Sequence, residues 1–273
     1  MLLNIASLGD CCVDIYKSGN YLGGTAFNVA LNAQKLGAKS SLFSAIGSDV
    51  FGEKYLVSAA KTGIDLNHLQ THQGITSSIN IDVGSNSQPT FSNWNLGVLE
   101  SYALNHQDTA ALKQQDIVRI VLFKPMKRVF DQFSTLNLSE TLTVADFADD
   151  SKYCESVSVI NQYLHRFDII IKSLAPSDIK SINYLQQLAH ANPAKIFLIL
   201  LGSHGSKVFR GKQEFYQPIV PTKVVDINGA GDSFVATFLI SFHQTKDVQV
   251  SLQKATTAAS LTIKHAGATK LLL

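Results

Sequence analysis

One segment of this 273-residue chain could serve phosphate chemistry, because it combines glycines, small residues and a carboxylate. It runs from Val224 to Phe234 and passes from a short β-type run through Gly229 and Gly231 into an apolar helix. Backbone N–H groups at a helix start converge on an anion, and the helix dipole favours negative charge there. Asp232 in the first turn would repel a phosphate but could accept a proton from an attacking hydroxyl. Asp232 is therefore a candidate general base.

The same spacing also fits a simple turn, in which the glycines bend the chain and Asp232 stabilises the helix start. The segment is not a P-loop, which needs Gly-x-x-x-x-Gly-Lys-Ser/Thr. It is not a dinucleotide fingerprint either, because Phe234 stands where the third glycine belongs. From these residues alone, the capping and catalytic interpretations both stay open.

Short aliphatic runs alternate with helical patterns along the chain. The predicted strands are Leu3 to Leu8, Ser40 to Ile46, Asp116 to Phe123, Leu142 to Asp146, Asp168 to Lys172 and Lys195 to Leu201. Several are apolar throughout, as expected for parallel strands covered on both faces, so we predict an α/β fold. One helix is expected to begin with Thr25 as N-cap and to end with Gly37 as C-cap. A second, opening at Gly229 to Asp232, should be largely buried.

Two segments alternate between polar and apolar residues in the manner of exposed strands. They run from Val13 to Leu22 and from Ile75 to Trp94, with turn residues Ser18-Gly-Asn and Gly84-Ser-Asn. We expect them to form a small separate sheet inserted into a single domain.

Composition excludes several function classes. A formal net charge of +2 and a charged fraction of 16% argue against broad attraction to nucleic acid or to a membrane surface. Cys11, Cys12 and Cys154 cannot all pair and form no CxxC spacing, which favours buried thiols in a reducing cytoplasm. No basic leader and no run of roughly 20 apolar residues is present. We expect a soluble, cytoplasmic protein.

Two separated segments carry a family resemblance. The stretch from Asp226 to Phe234 is similar to the C-terminal signature of the PfkB (ribokinase-like) carbohydrate kinase family, and Gly23-Gly-Thr-Ala-Phe-Asn28 resembles its N-terminal signature. The resemblance implies a ribokinase-like three-layer sandwich over residues 1–273, with a central, mostly parallel sheet. It also implies a small β-sheet lid made of segments near residues 12–22 and 75–97. The implied activity is ATP-dependent phosphorylation of a hydroxyl of a sugar or sugar derivative.

The same resemblance implies roles for individual residues. Asp232 would deprotonate the hydroxyl, while the amides of Gly229, Ala230 and Gly231 would form an anion hole. The sugar would be bound by Asp14, Gly23, Gly24 and Asn28, with Asp10 as a weaker candidate. The nucleotide would be bound by Gly202, Ser203, Gly205, Asn228, Thr256, Ser260 and Gly267.

The chain departs from the family pattern at two places. The Asn-x-x-Glu motif that organises magnesium is missing, since Ser173 and Pro176 lie in the corresponding stretch and Asp178 is only a weak substitute. Mg²⁺ would still arrive with ATP. Ile227 replaces the threonine that usually follows the aspartate in this family. Asp226 is therefore a weaker candidate for a K⁺ site.

Two segments resemble the fructoselysine 6-kinase branch of the family: Gly9 to Tyr16 and Phe91 to Val98. Phe91 and Trp94 could cover a sugar ring or an alkyl stem, although packing within the lid explains them equally well. The expected acceptor is fructoselysine or a related fructosamine at its 6-hydroxyl, with fructose, ribose or a sugar phosphate as alternatives. The cluster of Lys124, Lys127 and Arg128 could bind a carboxylate or phosphate, or lie on a solvated loop.

Other classes stay open at this point. A catalytically silent sugar or nucleotide sensor would share the scaffold, and the lost magnesium motif favours it slightly. A nicotinamide dehydrogenase is disfavoured by the absence of a fingerprint near the N-terminus. Exposed edges of the lid sheet could pair with a second copy, which predicts a homodimer.

Overall fold

A computed structural model of the chain describes residues 2–84, 89–269 and 271–273. The strands in these residues are β1 (Asn4–Leu8), β2 (Cys12–Tyr16), β3 (Gly19–Gly23), β4 (Lys39–Gly47), β5 (Leu69–His72), β6 (Ser78–Val83), β7 (Pro89–Asn95), β8 (Ile117–Val121), β9 (Leu142–Asp146), β10 (Ile169–Ser173), β11 (Ile196–Leu200), β12 (Ser206–Arg210) and β13 (Gln213–Gln217). The α-helices are α1 (Thr25–Lys35), α2 (Val50–Ala60), α3 (His106–Leu112), α4 (Lys127–Ser134), α5 (Ile160–Tyr163), α6 (Ile179–Ala191), α7 (Ala230–Thr245) and α8 (Val248–Thr262).

The large sheet has the order β13-β12-β11-β10-β9-β8-β1-β4-β5. Strands β11, β10, β9, β8, β1, β4 and β5 pair in parallel, whereas β12 and β13 add an antiparallel edge. Strand β8 is buried at every position, Arg119 included, which fits a strand covered on both faces. Parallel pairing brings the carboxyl ends of these strands to one edge, where open α/β sheets bind ligands.

Helices cover both faces of this sheet. Helices α1, α7 and α8 pack on one face around a core that includes Val29 and Phe238. Helices α3, α4, α5 and α6 pack on the other around Phe130 and Leu185. Helix α7 is buried from Ser233 through Phe242, which confirms its expected burial. The three layers of the expected sandwich are therefore present.

The small sheet has the order β3-β2-β6-β7 and is built from the two segments that the alternation pattern predicted. Strand β2 pairs antiparallel with β3 and parallel with β6. Residues 271–273 cover the outer edge of β3, since the Leu22 amide donates to the Leu271 carbonyl at 2.9 Å and the Leu273 amide to the Asn20 carbonyl at 2.9 Å. Strand β7 forms the opposite edge of this sheet.

Several local predictions differ from the structure. Gly24, with φ of 95°, is the N-cap of α1 in place of Thr25, because the Thr25 hydroxyl donates to Asp10. The C-cap is Leu36, and Gly37 follows it with φ of 87°. The first lid turn lies at residues 17–18, so Gly19 already belongs to β3. In the second predicted turn, Ser85 and Asn86 lie outside the described residues.

All three cysteines are buried free thiols, as expected. No helix in the described ranges is both long enough and apolar enough to cross a bilayer.

Candidate active site

Asp232 is positioned by the sharp turn that starts α7. Gly229 caps this helix with φ of 77°, and a Cβ at Gly229 would lie 2.5 Å from the Ala268 Cβ. Only glycine fits there, because the conformation is left-handed and the space is already filled. The Ala230 amide donates to the Ile227 carbonyl at 3.1 Å. The Gly231 and Asp232 amides have no carbonyl within the helix to bind, so they are the first-turn donors left for an anion.

Asn28 joins the two signature segments. Its Nδ2 donates to Asp232 Oδ2 at 2.8 Å, since α1 and α7 pack side by side on the same face of the sheet. Asn28 is buried, and its Oδ1 has no hydrogen-bond partner among the described residues. A buried amide oxygen without a partner is costly unless a ligand satisfies it. This atom therefore indicates where a donor on a bound molecule would lie.

Asp14 lies on β2 and faces the same space. It is buried, and Asn228 Nδ2 donates to its Oδ2 at 3.0 Å. A Cβ at Gly23 would lie 2.2 Å from Asp14 Oδ1, so the glycine is required for the carboxylate to pack against β3. Asn228, expected on the nucleotide side, thus contacts the residue expected to bind the sugar.

Asp226 is surrounded by protein donors. Its Oδ2 accepts from the Tyr16 hydroxyl at 2.9 Å and from the Gly267 amide at 3.0 Å, while Oδ1 accepts from the Asn228 amide at 2.9 Å. The Tyr16 hydroxyl also accepts from Asn228 Nδ2 at 2.9 Å. Both carboxylate oxygens are engaged, so this side chain fits a loop anchor better than a direct ligand of K⁺.

Arg119 lies beneath the site on β8 and is fully buried. Its Nη2 is 2.5 Å from Asp146 Oδ2, and its Nη1 donates to the Thr25 hydroxyl at 3.3 Å. Thr25 in turn donates to Asp10 through its amide and its hydroxyl, at 3.1 and 2.8 Å. Sequence reasoning did not identify Arg119, because one arginine in an apolar strand carries no motif.

Burial changes the acidity of three carboxyl groups near the site. Burial raises the pKa of Asp232 to about 7, against the charge of Arg119 and the hydrogen bond from Asn28, which lower it. Burial raises the pKa of Asp14 to about 8, although Asn228 opposes the shift. Burial also raises the pKa of Asp10. A carboxyl group that titrates near neutrality is suited to general acid–base work.

The residues expected at the nucleotide lie in the turn after β11, just before α7, on α8 and in the segment after α8. Gly202 and Gly205 flank Ser203 in the turn after β11, with φ of 56° and 84°. Thr256 on α8 is buried, and its hydroxyl has no partner among the described residues. The Ser260 hydroxyl donates to the Thr257 carbonyl at 2.7 Å.

Lys172 lies in the stretch that corresponds to the magnesium motif of the family. Lys172 is fully buried, and its Nζ is 2.6 Å from the Asp149 carbonyl and 2.8 Å from Asp150 Oδ1. Asp178 caps α6, accepting from the Ser181 amide at 3.1 Å. Within residues 2–84, 89–269 and 271–273, no group of three His, Cys, Asp or Glu side chains could hold a metal.

The aromatic and basic candidates have different environments. Phe91 is 42% exposed, whereas Trp94 packs edge-on against Phe123 and Tyr153. Among the basic residues, Lys127 pairs with Asp131 of its own helix at 2.7 Å, and Lys124 and Arg128 are exposed. Of the three basic residues, Lys127 thus has an acidic partner on its own helix.

Fold and site together define a carbohydrate kinase scaffold. A model of the pfkB family carbohydrate kinases matches residues 12–272, and the chain belongs to this family. It is 30% identical over 268 residues to a fructoselysine 6-kinase of Escherichia coli (strain K12), covering 97% of this chain and 98% of that one. A fructosamine kinase of Bacillus subtilis (strain 168) is 24% identical over 275 residues, covering 97% and 93%.

A solved structure supports the fold. The ribokinase of Arabidopsis thaliana in complex with ribose and ATP superimposes with a TM-score of 0.81, covering 100% of this chain and 96% of that one at 20% identity. The ribokinase fold expected from the two signatures is therefore confirmed.

Proposed function

We propose that this chain transfers the γ-phosphoryl group of ATP to a hydroxyl of a sugar derivative, with Asp232 as the general base. The observation that carries the proposal is the hydrogen bond from Asn28 Nδ2 to Asp232 Oδ2 at 2.8 Å, which joins the two signature segments at the first turn of α7. A base, an oriented amide and an anion site are the parts that direct phosphoryl transfer requires.

The proposed step proceeds without a covalent enzyme intermediate. The acceptor hydroxyl loses its proton to Asp232 as its oxygen bonds to the γ-phosphorus, and the bond from that phosphorus to the bridging oxygen of ADP breaks. The Gly231 and Asp232 amides face the charge that develops on the phosphoryl oxygens. Mg²⁺, when bound with ATP, neutralises phosphate charge. Afterwards, the proton leaves Asp232 to solvent.

The acceptor is held from the opposite side by β2 and α1. Asn28 Oδ1 is the unpaired acceptor for a sugar hydroxyl, and Asp14 offers a second carboxylate. Gly23 and Gly24 leave room for backbone to approach, since side chains at either position would collide with Asp14 or with the Asp10 carbonyl. A sugar bound between these groups would present one hydroxyl to Asp232.

Fructoselysine, or a related fructosamine phosphorylated at its 6-hydroxyl, is the acceptor that we propose. The whole-length relatives named above favour it over fructose, ribose and sugar phosphates. The test is ADP release measured with each of these acceptors in turn. Turnover highest with the fructosamine supports the proposal, and no turnover of any fructosamine would overturn it.

Ion dependence is proposed separately. Mg²⁺ is expected to be essential because it accompanies ATP, so chelating it with EDTA should abolish turnover. A K⁺ requirement stays a prediction, which an exchange of K⁺ for tetramethylammonium tests. A cytoplasmic location and a dimer through β7 also stay predictions; light scattering tests the second.

A further inference from the structure

Three aromatic rings from separate parts of the chain meet at the junction of the lid and the large sheet. Trp94 lies on β7, Phe123 follows β8, and Tyr153 lies in the loop after β9. The Trp94 ring centroid is 5.2 Å from that of Phe123 and 5.1 Å from that of Tyr153, with interplanar angles of 81° and 89°. We call these three residues the aromatic wall.

The lid side of the wall is fixed next to the sugar-binding strand. Trp94 Nε1 donates to the Ser77 hydroxyl at 3.0 Å, which selects one orientation of the indole. The Ser77 carbonyl accepts from the Val13 amide at 2.8 Å, and Val13 precedes Asp14 on β2. Ser77 therefore links the Trp94 indole to the strand that carries Asp14.

The core side of the wall is fixed by the buried Lys172. Its ammonium binds the carbonyls of Phe147, Asp149 and Glu155 at 3.2, 2.6 and 3.3 Å, and these residues bracket the loop that carries Tyr153. The Tyr153 carbonyl also accepts from the Lys124 amide at 2.8 Å. An internal ammonium is costly unless its donors are satisfied, so this loop is held in one conformation.

The rings themselves are not core residues. Each of the three keeps part of its surface in contact with solvent, unlike the rings of Phe130 and Phe147 inside the molecule. Rigid, partly exposed aromatic surface beside a ligand site is suited to bind apolar groups, because little side-chain entropy is lost. Positive charge lies at its rim, where Lys152 Nζ is 4.8 Å from the Tyr153 ring centroid.

We propose that the aromatic wall binds the part of the acceptor that is not phosphorylated, namely an alkyl stem attached to the sugar and ending in a carboxylate. This inference rests on the proposed sugar kinase function and adds Phe123 and Tyr153 as specificity-determining residues. The stem lies along the rings, and the carboxylate reaches Lys124 and Lys152, which are both exposed.

Trp94 gives a direct test, because it is the only tryptophan in the chain. Its emission is followed in the wild-type protein, without ATP, during titration with fructose, with the fructosamine of butylamine and with fructoselysine. The two alkyl-bearing compounds should shift or quench the emission, and fructose should not. No response to either alkyl compound, at concentrations that saturate turnover, would overturn the proposal.

Kinetics of Phe123→Leu and Tyr153→Leu give an independent test. Each variant should raise KM for the alkyl-bearing acceptors by about tenfold, while kcat/KM for fructose stays within about twofold. Val83→Ala is the control, because Val83 is exposed on the neighbouring lid strand β6. It should alter neither KM for the alkyl-bearing acceptors nor kcat/KM for fructose. An equal fall in kcat/KM for all acceptors, or no fall for any, would overturn the proposed role of the aromatic wall.

The two proposals fail in different ways. If Trp94 emission responds to the alkyl compounds but no sugar is phosphorylated, the proposed kinase function is overturned and the proposed binding by the aromatic wall is retained. Efficient phosphorylation of fructosamines, combined with unchanged acceptor discrimination in Phe123→Leu and Tyr153→Leu, would overturn only the role of the aromatic wall.

The carboxylate contact has its own test in the double variant Lys124→Met, Lys152→Met. This variant should raise KM for fructoselysine severalfold and leave KM for the butylamine compound unchanged. An equal rise in both KM values would rule out the carboxylate contact.

Discussion

The Asn28 side-chain amide lies 2.8 Å from Asp232 Oδ2, although 204 residues separate the two in the chain. The contact joins the helix that follows the Gly23-Gly24 turn to the helix that follows the Gly229 turn. A hydrogen bond to the charged form of a carboxyl group favours ionisation. In the proposed reaction, Asn28 would therefore favour the ionised form of Asp232 and would offer its Oδ1 to the acceptor.

Asn28→Ala should shift the acid limb of the pH profile to higher pH. The lost hydrogen bond lowers the pKa of Asp232 in the wild type, so its removal raises that pKa and less base is ionised at a given pH. The measurement is kcat/KM from about pH 5 to 9. Asn32→Ala is the control, because the Asn32 side-chain amide donates to the Asn28 backbone carbonyl at 2.8 Å and not to Asp232. An unshifted limb in Asn28→Ala would contradict the assignment.

Tyr16→Phe should destabilise the loop before α7. The change removes a donor to Asp226 and an acceptor for Asn228, at an expected cost of about 1–3 kcal/mol in unfolding free energy and with a raised KM for ATP. Tyr21→Phe is the matched control, since the Tyr21 hydroxyl makes no hydrogen bond within the described part of the chain. Urea unfolding and ATP titrations measure both effects. Equal behaviour of the two variants would rule out the proposed anchor.

Arg119→Met should destabilise the protein by about 3–5 kcal/mol, because Asp146 would stay buried without its partner. Adding Asp146→Leu should recover part of the loss, which distinguishes an unpaired charge from poor packing. Lys127→Met breaks the more exposed pair with Asp131 and should cost at most about 1 kcal/mol. Denaturant unfolding of the four proteins tests the contrast. A similar cost for both single changes would contradict it.

Asp14→Asn should stabilise the protein, and more at pH 8 than at pH 5. Burial raises the folded pKa of Asp14 to about 8 from an ordinary value of 3.8, so the folded state binds more protons between these values. Stability contributed by this group therefore falls as pH rises through that window, and an amide removes the effect. Thermal unfolding at the two pH values measures it. A larger gain at pH 5 would show the opposite shift.

The sequence was informative where function depends on local geometry. The turn at Gly229, the buried helix behind it and the apolar parallel strands all follow from spacing and composition, and the structure contains them. The lid strands were recognisable for the same reason, since alternation reports a half-exposed sheet. Strands β12 and β13 were missed because their short, mixed patterns at the sheet edge resemble loops.

Long-range partners could not be predicted. Tyr16 meets Asp226 across 210 residues, and Arg119 meets Asp146 from the neighbouring strand, so neither contact leaves a pattern in one segment. The aromatic wall likewise joins three segments that only the fold brings together. Trp94 alone was visible as a candidate, and its two partners were not.

The central claim is that Asp232 removes the acceptor proton, and Asp232→Asn tests it most directly. The variant keeps the side-chain shape but cannot accept the proton, so kcat should fall by about 10²–10⁴-fold. Folding and fructosamine binding should persist, as checked by thermal unfolding and by the response of Trp94 emission to the fructosamine of butylamine. A variant that folds, binds sugar and retains more than about a tenth of wild-type turnover would contradict the base assignment.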